Sequence, residues 1–209
     1  MLGKFLKKNL NKPLDALASV FVFATVSPKT VCLVSLALAV GAFLSIAAQQ
    51  IFFALPFFVL SVITRLAAHK TEKTGEERIF GSYLADMAAK YSEAMVFLAL
   101  AFFYPLAAFL ALAFSMISEY AKARLSLVVY HYERKWPSIG EQADRMLLVA
   151  VALSLPFFLP LVFGFETAEL ILYIVAFVAF IGSVQKFFFA KGIIQEAIKK
   201  NTVLPYARN

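Results

Sequence analysis

The sequence predicts an all-α integral membrane protein, with six transmembrane helices preceded by an N-terminal amphipathic interfacial helix. Three observations carry this. Of 209 residues, 62% are apolar and 16% are charged, with a mean hydropathy of +0.80, a composition that belongs to membrane proteins. The apolar residues fall into runs near the ~20 residues that cross a hydrocarbon core at ~1.5 Å per residue. All 20 Lys and Arg residues lie on, or at the membrane end facing, one side of the bundle that those runs define.

In chain order, residues 1–22 form the first element. Leu2, Phe5, Leu6, Leu14, Leu17 and Phe21 alternate with Lys4, Lys7, Lys8 and Lys12, the pattern of a helix lying in the interface and broken near Pro13. A charged flank that merely anchors the first span is the alternative. A six-helix transmembrane domain follows over residues 23–190, and residues 191–209 read as a cytoplasmic tail. The spans run Val31 to Ala48, Ile51 to Ala68, Phe80 to Tyr104, Pro105 to Tyr130, Met146 to Gly164 and Ala168 to Ala190. The first is no signal peptide, since it opens late and no small-residue cleavage site follows. The third and fourth carry Asp86, Lys90, Glu93, Glu119, Lys122 and Arg124.

Six spans put the N-terminus, the Lys70–Ile79 and His131–Arg145 connections and the C-terminus on one side. The turns near Gln49, Tyr104 and Phe165 fall on the other, which holds no Lys or Arg. Both termini are therefore expected in the cytoplasm of a multi-pass cell-membrane protein. The net charge of +7 is then a topology signal rather than a nucleic-acid footprint, because the basic residues are dispersed among spans with no base-stacking aromatics beside them. Cys32 has no cysteine to pair with, and His69 and His131 have no neighbouring ligand pair, which argues against a Cys/His metal site.

The cytoplasmic ends of the second and third spans carry the stretch TRLAAHKTEKTGEERIFGSYLADMAAKYSEA, beginning at Thr64. Its register resembles the signature of the CDP-alcohol phosphatidyltransferase family, D-x-x-D-G-x-x-A-R, eight residues, then G-x-x-x-D-x-x-x-D. Thr64 and Ala67 stand at the first two aspartate positions, Ala68 at the first glycine, Thr71 at the alanine and Glu72 at the arginine. Gly81 is kept, and Ala85 and Ala89 stand at the last two aspartates. The resemblance extends to SPKTVCLVSLAL, similar to a P-N-x-L-T segment with Lys29 and Cys32 in place of Asn and Thr. It also extends to SEYAKARLSL, similar to S-Y-x-K-A-R, and to GEQADRMLL, similar to A-E-R-x-E-R-x-L.

The resemblance implies a six-helix fold, often homodimeric, whose aspartates hold two divalent ions while a phosphatidyl-type group passes from a CDP-linked lipid to an alcohol. Hard oxygen ligands suit Mg²⁺ or Mn²⁺, and neither threonine nor alanine supplies an anionic one. A degenerate member is therefore expected: catalytically silent, with no cofactor, binding membrane phospholipid or pairing with an active homologue. The alternative is an active transferase with a rearranged metal site, using Mg²⁺ or Mn²⁺, for which Glu72, Asp86, Glu93 and Glu119 are the available carboxylates. Asp86 is turned ~100° from Ala85. Glu93 lies in a Tyr-Ser-Glu-Ala segment that relatives with intact aspartates share, so a salt bridge to Lys122 or Lys90 is its expected role. Where relatives hold an acceptor phosphate, this chain offers Lys122, Arg124 and Arg145. Those cations could equally pair with Glu119, Glu141 and Asp144, or meet lipid headgroups. A channel or transporter would call for discontinuous helices or an inverted repeat, and no such signal is evident.

Overall fold

The computed structural model describes residues 28–70, 76–129, 136, 139–162 and 164–204. The expected N-terminal amphipathic helix lies outside them. Six α-helices form among the described residues: α1 Pro28–Ala47, α2 Ile51–Lys70, α3 Glu76–Ala101, α4 Pro105–Ser126, α5 Gln142–Ser154 and α6 Thr167–Lys199. By length and composition α1, α4 and α6 are apolar enough to cross a membrane.

Side-chain size sorts the inside of the bundle from its outside. The core is rich in alanine, with Ala42 of α1, Ala54 of α2, Ala99 of α3, Ala107, Ala108 and Ala111 of α4, Ala152 of α5 and Ala176 of α6 all buried. Small residues let helix backbones approach closely where hydrocarbon outside gives no hydrophobic drive inward. Ile46, Phe58, Phe97 and Leu172 fill the space between the helices, while many other large apolar side chains point outward, among them Leu33, Phe52, Phe102, Phe177 and Phe187. A surface of this kind is stable in lipid and not in water.

α1 runs beside α2 and α3, α4 lies along α6, and α5 packs on α6. A reciprocal pair of hydrogen bonds clasps α1 to α2: the Ser35 hydroxyl donates to the Ser61 carbonyl at 2.9 Å, and the Ser61 hydroxyl donates to the Ser35 carbonyl at 2.8 Å. Both hydroxyls are thereby satisfied at a depth where water cannot serve them.

Two helix lengths depart from the expected spans. α5 has 13 residues, about 20 Å, where an unbroken helix from Met146 to Gly164 is expected. Pro156 and Pro160 end the regular hydrogen bonding, and the chain continues as a 3₁₀ turn at Leu155–Phe157 and a two-strand pair, β1 Leu161–Val162 with β2 Phe165–Glu166. Thr167 closes this stretch by donating its backbone N–H to the Pro160 carbonyl at 3.0 Å. In contrast, α6 has 33 residues, about 50 Å against a core of about 30 Å, and runs past the expected end at Ala190. Its last turns bury Ile193 and Ala197 with Leu125 and Val129, and the Leu204 N–H donates to the Val128 carbonyl at 3.0 Å. This second core ties the chain's end to the end of α4.

Candidate functional site

The described signature positions fall at the end of α2 and in the first part of α3. Thr64 is buried near the end of α2, and Ala85 and Ala89 are buried one turn apart on one face of α3. Ala67 and Ala68 lie on the last turns of α2 and Gly81 near the start of α3. Thr71 and Glu72 fall outside the described residues.

The last two signature positions are buried. Ala85 packs with Val31 and Cys32 of α1, and the Ala89 carbonyl accepts a hydrogen bond from the Gln142 amide of α5 at 2.9 Å. Lys29, at the start of α1, places its ammonium 5.0 Å from the centre of the Phe80 ring, within cation–π range. Thr64, Ala85 and Ala89 present one hydroxyl and two methyl groups. A Mg²⁺ or Mn²⁺ pair, which needs anionic oxygens, does not fit that donor set.

The buried charge sits one to two turns deeper. Arg145 of α5 and Glu93 of α3 are both fully buried. Arg145 donates from Nε to Glu93 Oε1 at 2.6 Å, from Nη2 to Glu93 Oε2 at 3.2 Å, and from Nη1 to the Gly140 carbonyl. The fork-to-fork geometry is the strongest form of an arginine–carboxylate pair. Around it lie Glu119 of α4, Lys90 of α3 and Lys186 of α6. Lys90 is 3.3 Å from Glu119 Oε2 and 3.9 Å from Glu93 Oε2. Lys186 is 3.5 Å from Glu119 Oε1 and donates to the Ser118 hydroxyl at 2.8 Å, and Arg145 Nη2 is 3.6 Å from Glu119 Oε1. Four helices thus contribute three cations and two carboxylates to one cluster.

The positions of Gly140 and Gly182 allow α5 to bring Arg145 this close. Gly140 has a φ of +67°, and a methyl group there would lie 2.7 Å from the Val178 carbonyl oxygen of α6. At Gly182 a methyl group would lie 2.7 Å from the Ile139 carbonyl oxygen. Gly182→Ala is expected to push the start of α5 away from α6 at a cost of about 1–3 kcal/mol. The check is the unfolding midpoint of the variant in detergent, and an unchanged midpoint would rule out the close approach.

The candidate phosphate contacts separate. Lys122 and Arg124 are exposed on α4, whereas Arg145 is enclosed by Glu93, Gly140 and Glu119. Arg145 takes the role beside Glu93 that the sequence assigns to Lys122 or Lys90, with Lys90 secondary. Asp86 is exposed, and cations engage both Glu93 and Glu119. Among the described residues, no three His, Cys, Asp or Glu side chains stand together as metal ligands.

Lys186 and Arg65 are buried cations that sequence reasoning missed. Lys186 interrupts the apolar run of α6, and an ionisable residue within a span is a functional suspect, so a signal for it existed. Arg65 follows Thr64 and is buried at 6% exposure, with Glu93, Asp86 and Cys32 as its electrostatic neighbours.

The fold is similar to that of Mycobacterium tuberculosis phosphatidylinositol phosphate synthase. Its apo crystal structure aligns with a TM-score of 0.66 at 17% identity, covering 83% of this chain and 93% of that one. The same enzyme with CDP-DAG bound gives 0.62 at 16% identity, covering 85% and 92%. Its complex with manganese and citrate gives 0.61 at 16% identity, covering 85% and 88%. No family model matches the chain, and no curated protein is significantly similar in sequence.

Proposed function

We propose that this chain is a non-catalytic member of the CDP-alcohol phosphatidyltransferase family, a membrane pseudoenzyme. In this reading it keeps a cavity for a phosphate or lipid headgroup, or serves as the partner of an active homologue. The reading places it in the cell membrane with six spans and both termini cytoplasmic, able to form a homodimer or a heterodimer. Its lipid partner is a phospholipid; nucleic acid has no part in it.

The observation that carries the proposal is the packing at Ala85 and Ala89. The structural neighbours include a CDP-DAG complex and a manganese complex; here the last two signature positions carry buried methyl groups, Ala85 against Val31 and Cys32, and Ala89, whose backbone carbonyl accepts from Gln142. Loss of a general base alone removes roughly 10²- to 10⁴-fold in rate, and loss of metal ions several kcal/mol more of transition-state stabilisation. In this reading Arg145 with Lys90 and Lys186, flanked by the exposed Lys122 and Arg124 of α4, supplies the positive charge for a phosphate group, since cations at membrane depth need anionic partners.

The test is a transferase assay on the purified protein, free of host transferases, with a CDP-linked lipid, Mg²⁺ or Mn²⁺ and a panel of alcohols. No CMP release is expected. Metal-dependent CMP release would establish the alternative, an active transferase of phospholipid biosynthesis with a rearranged metal site. Phosphate or headgroup binding that survives Lys122→Ala and Arg145→Ala together would remove these two cations from the cavity.

A further inference from the structure

We propose that Glu119 is a built-in occupant of the cation cradle, an internal carboxylate that a phosphate group must displace in order to bind. The inference rests on the anion-cavity reading above and adds to it a residue that sets the cavity's affinity.

The contact distances separate the two buried carboxylates. Glu93 is held at 2.6 Å by Arg145, the length of a strong charge-assisted hydrogen bond. Glu119 is shared among three cations at 3.3, 3.5 and 3.6 Å. Every one of those separations exceeds the ~2.7–2.9 Å of a direct N⁺–H···O⁻ bond. A single carboxylate with two oxygens thus spans three cations from three helices and bonds closely to none. Glu93 is completely enclosed, whereas the Glu119 side chain is 23% exposed, so Glu119 has a way out.

Withdrawal of Glu119 leaves Lys90, Arg145 and Lys186 with Glu93 as the remaining carboxylate in contact, and Arg65 adds positive charge in the field of Glu93. A phosphate monoester dianion offsets that excess of positive charge. Its tetrahedron offers more acceptor oxygens than the two with which Glu119 spans the three cations, and the Ser118 hydroxyl already beside Lys186 at 2.8 Å adds a neutral donor. Lys122 lies three residues further along α4, exposed, and its charge acts on Lys186. It is the natural partner for the displaced Glu119, because positions three apart on a helix are neighbours. Glu119 therefore has two stations, the cradle and Lys122, and an incoming dianion selects the second.

The chemistry recognised is a phosphate monoester, whether free or borne on a lipid. The experiment compares the full-length wild type with Glu119→Gln, which keeps the side chain's shape and removes its charge. In phosphatidylcholine nanodiscs, inorganic phosphate is titrated by calorimetry. In nanodiscs doped with phosphatidic acid and lacking phosphate, retained lipid is counted by native mass spectrometry. Glu119→Gln is expected to bind ~10-fold or more tightly than the wild type, from removal of a like charge a few ångströms from the dianion. Adding Lys186→Met is expected to abolish the gain. A gain only in the titration assigns the site to free phosphate, and a gain with phosphatidic acid assigns it to a headgroup. Equal binding by wild type and Glu119→Gln in both arms overturns the proposal and leaves the anion cavity standing. Absence of binding by every protein in both arms overturns the cavity reading itself. Should Glu119→Gln not be monodisperse, Glu119→Asp, whose carboxylate stops one methylene short of the cradle, takes its place. It is expected to bind more tightly than the wild type, and equal or weaker binding overturns the proposal.

Discussion

Arg145→Met is expected to destabilise the bundle by about 3–5 kcal/mol, the cost of leaving a buried charge without its partner. Glu93 would lose both guanidinium bonds and keep Lys90 at 3.9 Å with Arg65 further off, while the Gly140 carbonyl would lose its donor. Desolvation makes the intact pair worth little in itself, so the size of the effect comes from the orphaned carboxylate rather than from the lost attraction. A companion variant separates the two contributions. Glu93→Leu combined with Arg145→Met removes both charges, and is expected to recover most of the loss, which a double-mutant cycle reads as coupling between the two residues. Reversible unfolding in mixed micelles measures Arg145→Met, Glu93→Leu and the double variant. A single-variant cost below about 1 kcal/mol, outside the range for broken buried pairs, would mean that water reaches Glu93.

The same pair shows what a sequence can and cannot disclose. Glu93 and Arg145 are each singled out by the sequence, but helix periodicity pairs a residue only with neighbours three or four away. It therefore offers Lys90 to Glu93, and Glu141 or Asp144 to Arg145. The observed partners are 52 residues apart, brought together by the packing of α3 and α5, which no local spacing encodes. The six helices among the described residues were legible in their order, because hydropathy over ~20 residues is a direct consequence of bilayer thickness. Hydropathy is blind to backbone chemistry, however. It reads PFFLPLVFG as a continuation of the fifth span, although Pro156 and Pro160 cannot sustain a helix. It also stops the sixth at Ala190, although Ile193 and Ala197 have the i, i+4 spacing of a buried face. The placement of Thr64 on α2 and of Ala85 and Ala89 one turn apart on α3 was legible from helix periodicity. The guanidinium of Arg65 was not, because that residue lies between two motif positions and its burial depends on α1 and α3.

Arg65 governs the expected outcome of rebuilding the carboxylate set. The unmodified protein is expected to bind no Mn²⁺ at Thr64, Ala67, Ala85 and Ala89, because none of these side chains carries a charge. The variant with those four residues changed to Asp, Ala68→Gly and Glu72→Arg is expected to bind Mn²⁺, read as loss of the free-ion signal in electron paramagnetic resonance. Four carboxylates meet the requirement of hard cations for anionic oxygen. Binding is expected to be weak, because Arg65, buried beside Cys32 and in the field of Glu93, is a fixed cation that competes with the metal for the new carboxylates and repels it. Adding Arg65→Leu removes that competitor and is expected to tighten Mn²⁺ binding ~10-fold or more, the effect of one unit charge at short range in a partly buried site. The methyl groups at Ala85 and Ala89 are packed, so the larger side chains also carry an overpacking cost of about 1–3 kcal/mol each, and stability must be followed alongside binding. A folded seven-site variant that still binds no Mn²⁺ would mean that α2 and α3 do not present these positions to a common centre. Mn²⁺ bound by the unmodified protein and lost on Asp86→Asn or Glu119→Gln would instead locate a working metal site among the carboxylates that the signature does not contain.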